Sequence, residues 1–236
     1  MYIRNKRFFL QYNPLLLDIG IMNRFFLFIT FSFLFLLITI SSKASDFEGN
    51  ISFVCETIFD TTYITIMVKG DLIRVDEFNQ KKQLQSSRLI NLPKQNAIVI
   101  SHDRKLYTNI IASPANGNKS NSVDLKKTGN YKEINGYKCY QWRVKDVQRN
   151  TEIAYWVAEE RFDFFETLLK FLNRTEYSLK VFSNIPDSEG YFPLLTEERT
   201  LLRKEKLRIA VVEIIEANLN SKIFEIPEGY NAVRHL

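Results

Sequence analysis

A mainly β fold, a meandering antiparallel sheet with a helix packed on one face, is the fold class this sequence predicts. Three observations carry it. Short runs of alternating apolar and polar residues recur from Asp46 to about Ala158, and turn residues separate them at regular spacing. Near residue 165 the apolar period changes from two to the helical value of about 3.6.

The elements follow in order. Ile51, Phe53 and Cys55 alternate with Ser52 and Val54, which predicts a half-buried strand. Residues 63–68 (YITIMV) lead through Lys69-Gly70-Asp71 into residues 72–75 (LIRV), a hairpin pattern. Residues 88–92 run into the turn Pro93-Lys94-Gln95-Asn96, residues 97–100 (AIVI) follow, and Asp103-Arg104 turns the chain into Lys105-Leu106-Tyr107. Residues 112–122 (ASPANGNKSNS) form a polar, turn-rich insertion, expected to be a loop. Asn135-Gly136, between Ile134 and Tyr137, is the strongest local hairpin signal. Over residues 162–172, Phe165, Leu168, Leu169 and Leu172 share a helical face that Phe164 and Phe171 widen. Residues 201–206 have helical propensity, but the β-branched run 209–215 (IAVVEII) does not; two long strands are expected between Glu197 and Asn218.

A signal helix is expected ahead of this domain. Residues 25–40 (FFLFITFSFLFLLITI) carry no charge, Arg24 precedes them, and Ser42 and Ala44 supply small residues for cleavage after Ala44. The apolar run is shorter than the ~20 residues of a membrane span, so cleavage is expected over an uncleaved anchor, which is the rival reading. Met22 makes a more usual signal start than Met1. The chain therefore divides into an extension and signal at 1–44 and a β-rich domain at 45–236. No cysteine sits at the cleavage point, since Cys55 follows Val54, so lipid anchoring is not expected.

The leader also explains the charge. The whole chain has a formal net charge of +5, of which Arg4, Lys6, Arg7, Arg24 and Lys43 against Asp18 supply most, leaving the domain near neutral. A near-neutral domain has no broad field for a polyanion, so nucleic acid is not an expected partner.

The motifs of catalysis are missing from the sequence. It has no G-x-S-x-G, H-E-x-x-H, phosphate-cradling glycine loop or dinucleotide fingerprint. With 2 Cys and 2 His, all widely spaced, it has no zinc signature, and no metal or cofactor is expected. Ser101-His102-Asp103 has triad residue types, but neighbours on an extended chain point apart, so a solvated turn is expected. Glu159-Glu160 and Glu197-Glu198 are expected on a solvated surface. An enzyme is not expected. Cys55 and Cys139 can be read two ways: an oxidising compartment permits a disulfide, yet Cys139 shares its face with Gln141 and Arg143 while Cys55 shares one with Ile51 and Phe53.

Several segments in order carry a family resemblance: residues 127–129 (KTG) and 134–139 (INGYKC), residues 153–157 (IAYWV), residues 190–194 (GYFPL) and residues 224–230 (FEIPEGY). Across most of residues 46–232 the chain resembles a domain-of-unknown-function family of exported bacterial proteins, itself similar to the periplasmic lipoprotein carriers (LolA-like). That resemblance implies a strongly curved, incomplete antiparallel barrel whose concave side is covered by helices and can hold acyl chains. The ligand-cavity candidates are then Phe53, Tyr140, Trp142 and Trp156 from strands and Phe165, Leu168 and Leu172 from the helix. Tyr140, Trp142 and Val144 share one strand face. An ordinary filled core is the competing reading of each. The expected function is an exported, periplasmic or outer-envelope protein of a Gram-negative bacterium, non-enzymatic, binding a lipid or acyl ligand and touching membrane only transiently or through its signal. The alternative is a structural or protein-interaction component of the cell envelope.

Overall fold

Residues with branched or aromatic side chains at every second position build twelve strands in one sheet among the described residues. The structure is a computed structural model that describes residues 47–111, 124–159, 162–171 and 177–233. The expected signal and its cleavage point, the 112–122 insertion, Glu160, Leu172 and His235 lie outside the described residues.

The first half is a meander: β1 (Gly49–Thr57), β2 (Thr61–Lys69), β3 (Leu72–Phe78), β4 (Leu84–Asn91), β5 (Asn96–Ser101) and β6 (Leu106–Ile111). The second is β7 (Asp124–Ile134), β8 (Tyr137–Asp146), β9 (Thr151–Glu159), β10 (Tyr191–Thr200) and β11 (Glu205–Glu216). Among the described residues, two short helices, α1 (Phe164–Phe171) and α2 (Tyr177–Phe182), stand between β9 and β10, and a 3-10 turn (Ser221–Phe224) and β12 (Asn231–Ala232) follow β11.

The strand order is β12-β6-β5-β4-β3-β2-β1-β11-β10-β9-β8-β7. The sheet is curved and does not close into a barrel. Every pairing is antiparallel except that of β12 with β6, because the chain end crosses the sheet before it pairs. The two meanders join where β11 pairs with β1, from Gly49 opposite Glu216 to Thr57 opposite Leu207.

One face of the sheet carries the core and both helices. Ile51, Ile66, Ile73, Val75, Tyr155 and Val157 are buried there, with Phe162, Leu168, Phe182 and Phe192. The Phe162 and Phe192 rings stack at 4.5 Å, and Phe165 meets Phe192 edge-on at 4.6 Å. Each large side chain so buried contributes about 1.5–3 kcal/mol. With 8 residues, α1 is too short to persist alone, so its apolar face against the sheet holds it. The helix is shorter than the expected 162–172 among the described residues, and α2 is a second covering helix of the kind the family resemblance implied, at a position the sequence pattern did not mark. Residues 201–204 form a turn, as β-branched residues on either side favour the two strands.

The opposite face is crossed by a strap, residues 217–233. It starts on Glu48, whose backbone carbonyl accepts from Ala217 N–H at 3.2 Å and whose carboxylate accepts from Leu219 N–H at 3.1 Å. Midway, Arg74 donates to the Ile223 carbonyl at 2.7 Å. It ends where the Val233 N–H reaches the Tyr107 carbonyl at 2.8 Å. Under this strap, Leu89 and Ile100 are buried although they face away from the helices.

Gly49 sits at the junction with φ +148, and a Cβ there would lie 2.0 Å from the Ile215 carbonyl oxygen. A clash with backbone cannot be relieved by a rotamer change. Gly49→Ala is therefore expected to lower unfolding free energy by about 2 kcal/mol or more, read as a lower urea midpoint at unchanged slope.

Candidate functional site

The helices and sheet leave an apolar cleft between them. Phe165 and Leu169 of α1 and Leu179 of α2 form one wall. Phe53, Ile64, Ile66 and Ile209 of the central strands form the other, with Pro193 and Thr196 at the β10 side. Thr196 is the one polar residue among the described lining residues, so what they offer an alkyl group is mostly dispersion. The cleft's volume is about 40 Å³. That is room for a few water-sized groups, well short of the ~300 Å³ at which ligand pockets begin.

Two of the seven cavity candidates, Phe53 and Phe165, line this cleft. Leu168 is fully buried in the core. Trp142 is buried on the same face and packs on Phe182 at 6.2 Å and Tyr191 at 4.7 Å, with Lys127 over its ring at 4.3 Å. Tyr140 lies near the sheet edge beside Lys138, 5.1 Å from its ring centre. Trp156 is a correction. It pairs with Gln141, whereas Tyr155 pairs with Trp142, so strand alternation turns Trp156 to the other face. There it lies under Lys132, whose ammonium is 4.1 Å from the ring centre. The sequence reading missed Ile64, Ile66, Leu169, Leu179, Pro193, Thr196 and Ile209 as lining residues, although alternation marked Ile64, Ile66 and Ile209 as inward.

The disulfide alternative is also corrected. Cys55 and Cys139 are both buried thiols. Cys55 pairs with Ile209 on β11 and Cys139 pairs with Lys132 on β7, and both thiols belong to the buried core. β11, β10 and β9 separate their strands. Four strand spacings are about 19 Å, against the ~7 Å between Cα atoms that a disulfide tolerates. Burial pushes the Cys139 thiol up to about 11. Glu198, expected on a solvated surface, is buried and paired with Lys206 at 2.7 Å, since it shares a face with Leu207.

A polar chain lies beneath the strap. Asp76 accepts from Arg74 at 2.7 Å and from the Ser87 hydroxyl. His102 Nε2 stands 2.7 Å from Ser87 Oγ, and Nδ1 stands 2.8 Å from Tyr230 Oη in the strap. Ser87 gives its single proton to Asp76, so Nε2 carries the proton donated to Ser87 and Nδ1 accepts from Tyr230. Burial holds His102 below its ordinary value, with Arg74 opposing the charged form and Asp76 and Asp103 favouring it. These are triad residue types in the wrong order. The hydroxyl lies between acid and imidazole, is fully buried, and in this arrangement directs its proton to the carboxylate rather than to histidine. Ser101 instead bonds Asp103, its neighbour in the turn.

A groove of about 230 Å³ on the outer face is lined by Arg143, Glu152, Glu197, Arg199 and Arg203 with Gln141 and Ala154. Arg143 pairs with Glu152, and Arg199 with Glu197 at 2.8 Å, so most of its charge is internally compensated.

The model for a family described as a domain of unknown function (DUF4412) matches residues 47–230. No curated protein matches the sequence significantly. Among solved structures, an uncharacterised conserved protein from Thermus thermophilus aligns at 10% identity over 80% of this chain and 91% of that one, with a TM-score of 0.47. MucB in the Pseudomonas aeruginosa MucA/MucB complex aligns at 10% identity and a TM-score of 0.43, over 75% of this chain and 54% of that longer chain. A DUF1329 family protein from Desulfovibrio piger aligns at 10% identity over 78% and 91%, with a TM-score of 0.29. The curved, open sheet with helices on one face agrees with the incomplete antiparallel barrel that was expected.

Two outcomes follow from these groups. Because folding depresses His102, stability is fully present above about pH 6.5 and is lost as pH falls through the folded value. Urea midpoints are expected to drop between pH 7 and pH 5 in the native chain, and His102→Gln should flatten that dependence. Neither cysteine should react with a thiol reagent in the folded protein at pH 8, and both should react once urea exposes them.

Proposed function

The chain belongs to the DUF4412 family, a domain of unknown function, and from that premise we propose that it is an exported, non-catalytic protein that binds an acyl chain or similar apolar ligand beneath α1. The apolar cleft between α1, α2 and the central strands is the observation that carries this reading. At its present volume the cleft is a closed state. A ligand enters when α1 moves off the sheet, and a helix of 8 residues held by one apolar face is the element with least to lose. Each methylene then buried contributes about 0.8 kcal/mol, so a chain of several carbons offsets the contacts given up.

The leader, with its cationic start, apolar run and small residues, supports export. The reversed order of Asp76, Ser87 and His102 supports a binding role over hydrolysis. A second reading, an interaction component of the envelope, is favoured by β7, an edge strand of 11 residues whose outer backbone groups lack a neighbouring strand among the described residues.

Uptake of a fluorescent fatty acid by the purified chain in the absence of membranes tests the proposal. Saturable binding, displaced by oleate, is the expected result; no uptake and no lipid in native mass spectra would argue for the interaction reading. Phe165→Ala should tighten binding by enlarging the cleft while costing about 3–5 kcal/mol of stability. Leu169→Gln should weaken it about tenfold by placing an amide in the wall.

A further inference from the structure

The turns between strands alternate between the two ends of the sheet, and the two ends differ in chemistry. At one end lie the tips β1/β2, β3/β4, β5/β6, β8/β9 and β10/β11. They present Lys81, Lys82, Arg104, Lys105, Arg149, Arg203 and Lys204, all exposed, against Asp60 and Asp103. At the other end, the tips β2/β3, β4/β5 and β7/β8 carry only Lys94 and Asp71. A domain near neutrality overall therefore has one strongly basic end.

The same end shows apolar side chains where turns ordinarily place polar ones. Phe59 is 91% exposed and Leu202 90%, the two highest values among the exposed large hydrophobics described, and Val147 and Ile58 at the same end are exposed at 68% and 59%. All four stand on three tips that are neighbours through the order β2-β1-β11-β10-β9-β8. Leu201 N–H donates to Asn150 Oδ1 at 3.3 Å, joining the β10/β11 tip to the β8/β9 tip.

The backbone of each tip is satisfied from within, which leaves the apolar side chain projecting. Thr57 Oγ1 accepts from the N–H of Phe59 at 3.2 Å and of Asp60 at 3.0 Å. Thr200 Oγ1 accepts from Lys204 N–H at 3.0 Å, and Asp146 Oδ1 from Arg149 N–H at 3.0 Å. Tips bearing an apolar residue inside a cationic collar match a surface with anionic headgroups above hydrocarbon.

We propose that this end of the sheet docks reversibly on an anionic lipid bilayer, with Phe59, Leu202 and Val147 entering the headgroup boundary and the tip lysines and arginines resting on lipid phosphates. This docking does not depend on the cleft being a ligand site. The fatty-acid assay contains no bilayer, so the two readings fail separately.

The test attaches an environment-sensitive dye at Phe59→Cys, at Leu202→Cys and, as a control on the opposite end, at Lys94→Cys, in the full chain with its buried native thiols. Phosphatidylglycerol–phosphatidylcholine vesicles should shift the emission at positions 59 and 202 to the blue, with quenching by brominated lipid, and leave position 94 unchanged. Raising salt should reverse the shift, and Arg203→Gln with Lys204→Gln should raise the anionic lipid needed roughly thirtyfold. If the dye at 59 stays in water like that at 94, the proposal is overturned, even where the apolar leader sediments the chain with vesicles. An equal shift on pure phosphatidylcholine, unaffected by the charge variants, also overturns it.

Discussion

The pairing of β1 with β11 is the constraint on which the rest of the structure depends. It joins strands from opposite ends of the domain along the full length of β1, with a single irregularity after Ser52. Each meander alone would keep a central edge of unpaired backbone groups and half of an apolar face. Joined, they present a continuous curved surface on which Phe53 of one half and Ile209 of the other stand under the same two helices. The close approach of the two backbones at Gly49 is where this junction tolerates no side chain.

Because the junction fixes one face as the core, it also decides what covers the other. The strap leaves β11 beside Glu48, passes Arg74 and reaches β6, so the chain end protects apolar residues such as Ile100 that the helices do not touch. Its hold is mostly polar. Arg74 binds the Ile223 carbonyl while bridging Asp76 and Ser87, and Tyr230 joins the same chain through His102. Groups that look catalytic in a list of residue types are thus engaged in fastening the chain terminus.

The functional proposals draw on different parts of this frame. The cleft is a property of the helix-covered face, where two short helices over a wide sheet leave imperfect packing. The basic, apolar-tipped end is a property of the meander itself, since successive hairpins send every second turn to the same end. A ligand held under α1 and a bilayer met by the tips would lie on one molecule without competing for residues, because the cleft and the tips share no side chain.

Local chemistry was legible in the sequence, and long-range geometry was not. Alternation at Ile51, Phe53 and Cys55, the Asn135-Gly136 turn and the apolar stripe through Phe165 and Leu168 each report the structure of their own segment, because side-chain period and turn conformation are set within a few residues. Which strands become neighbours depends on burial summed over the whole sheet, and no short segment encodes it. The β1–β11 junction, the turn of Trp156 away from Trp142 and the burial of Glu198 therefore needed the tertiary structure. So did the meeting of Asp76, Ser87, His102 and Tyr230, and the gathering of Phe59, Val147 and Leu202 at one end. By itself the sequence determined a β-rich domain with one amphipathic helix behind a signal-like leader. The tertiary structure decided which of its side chains face the cleft, which fasten the strap and which stand out at the basic end, because those assignments follow from strand order.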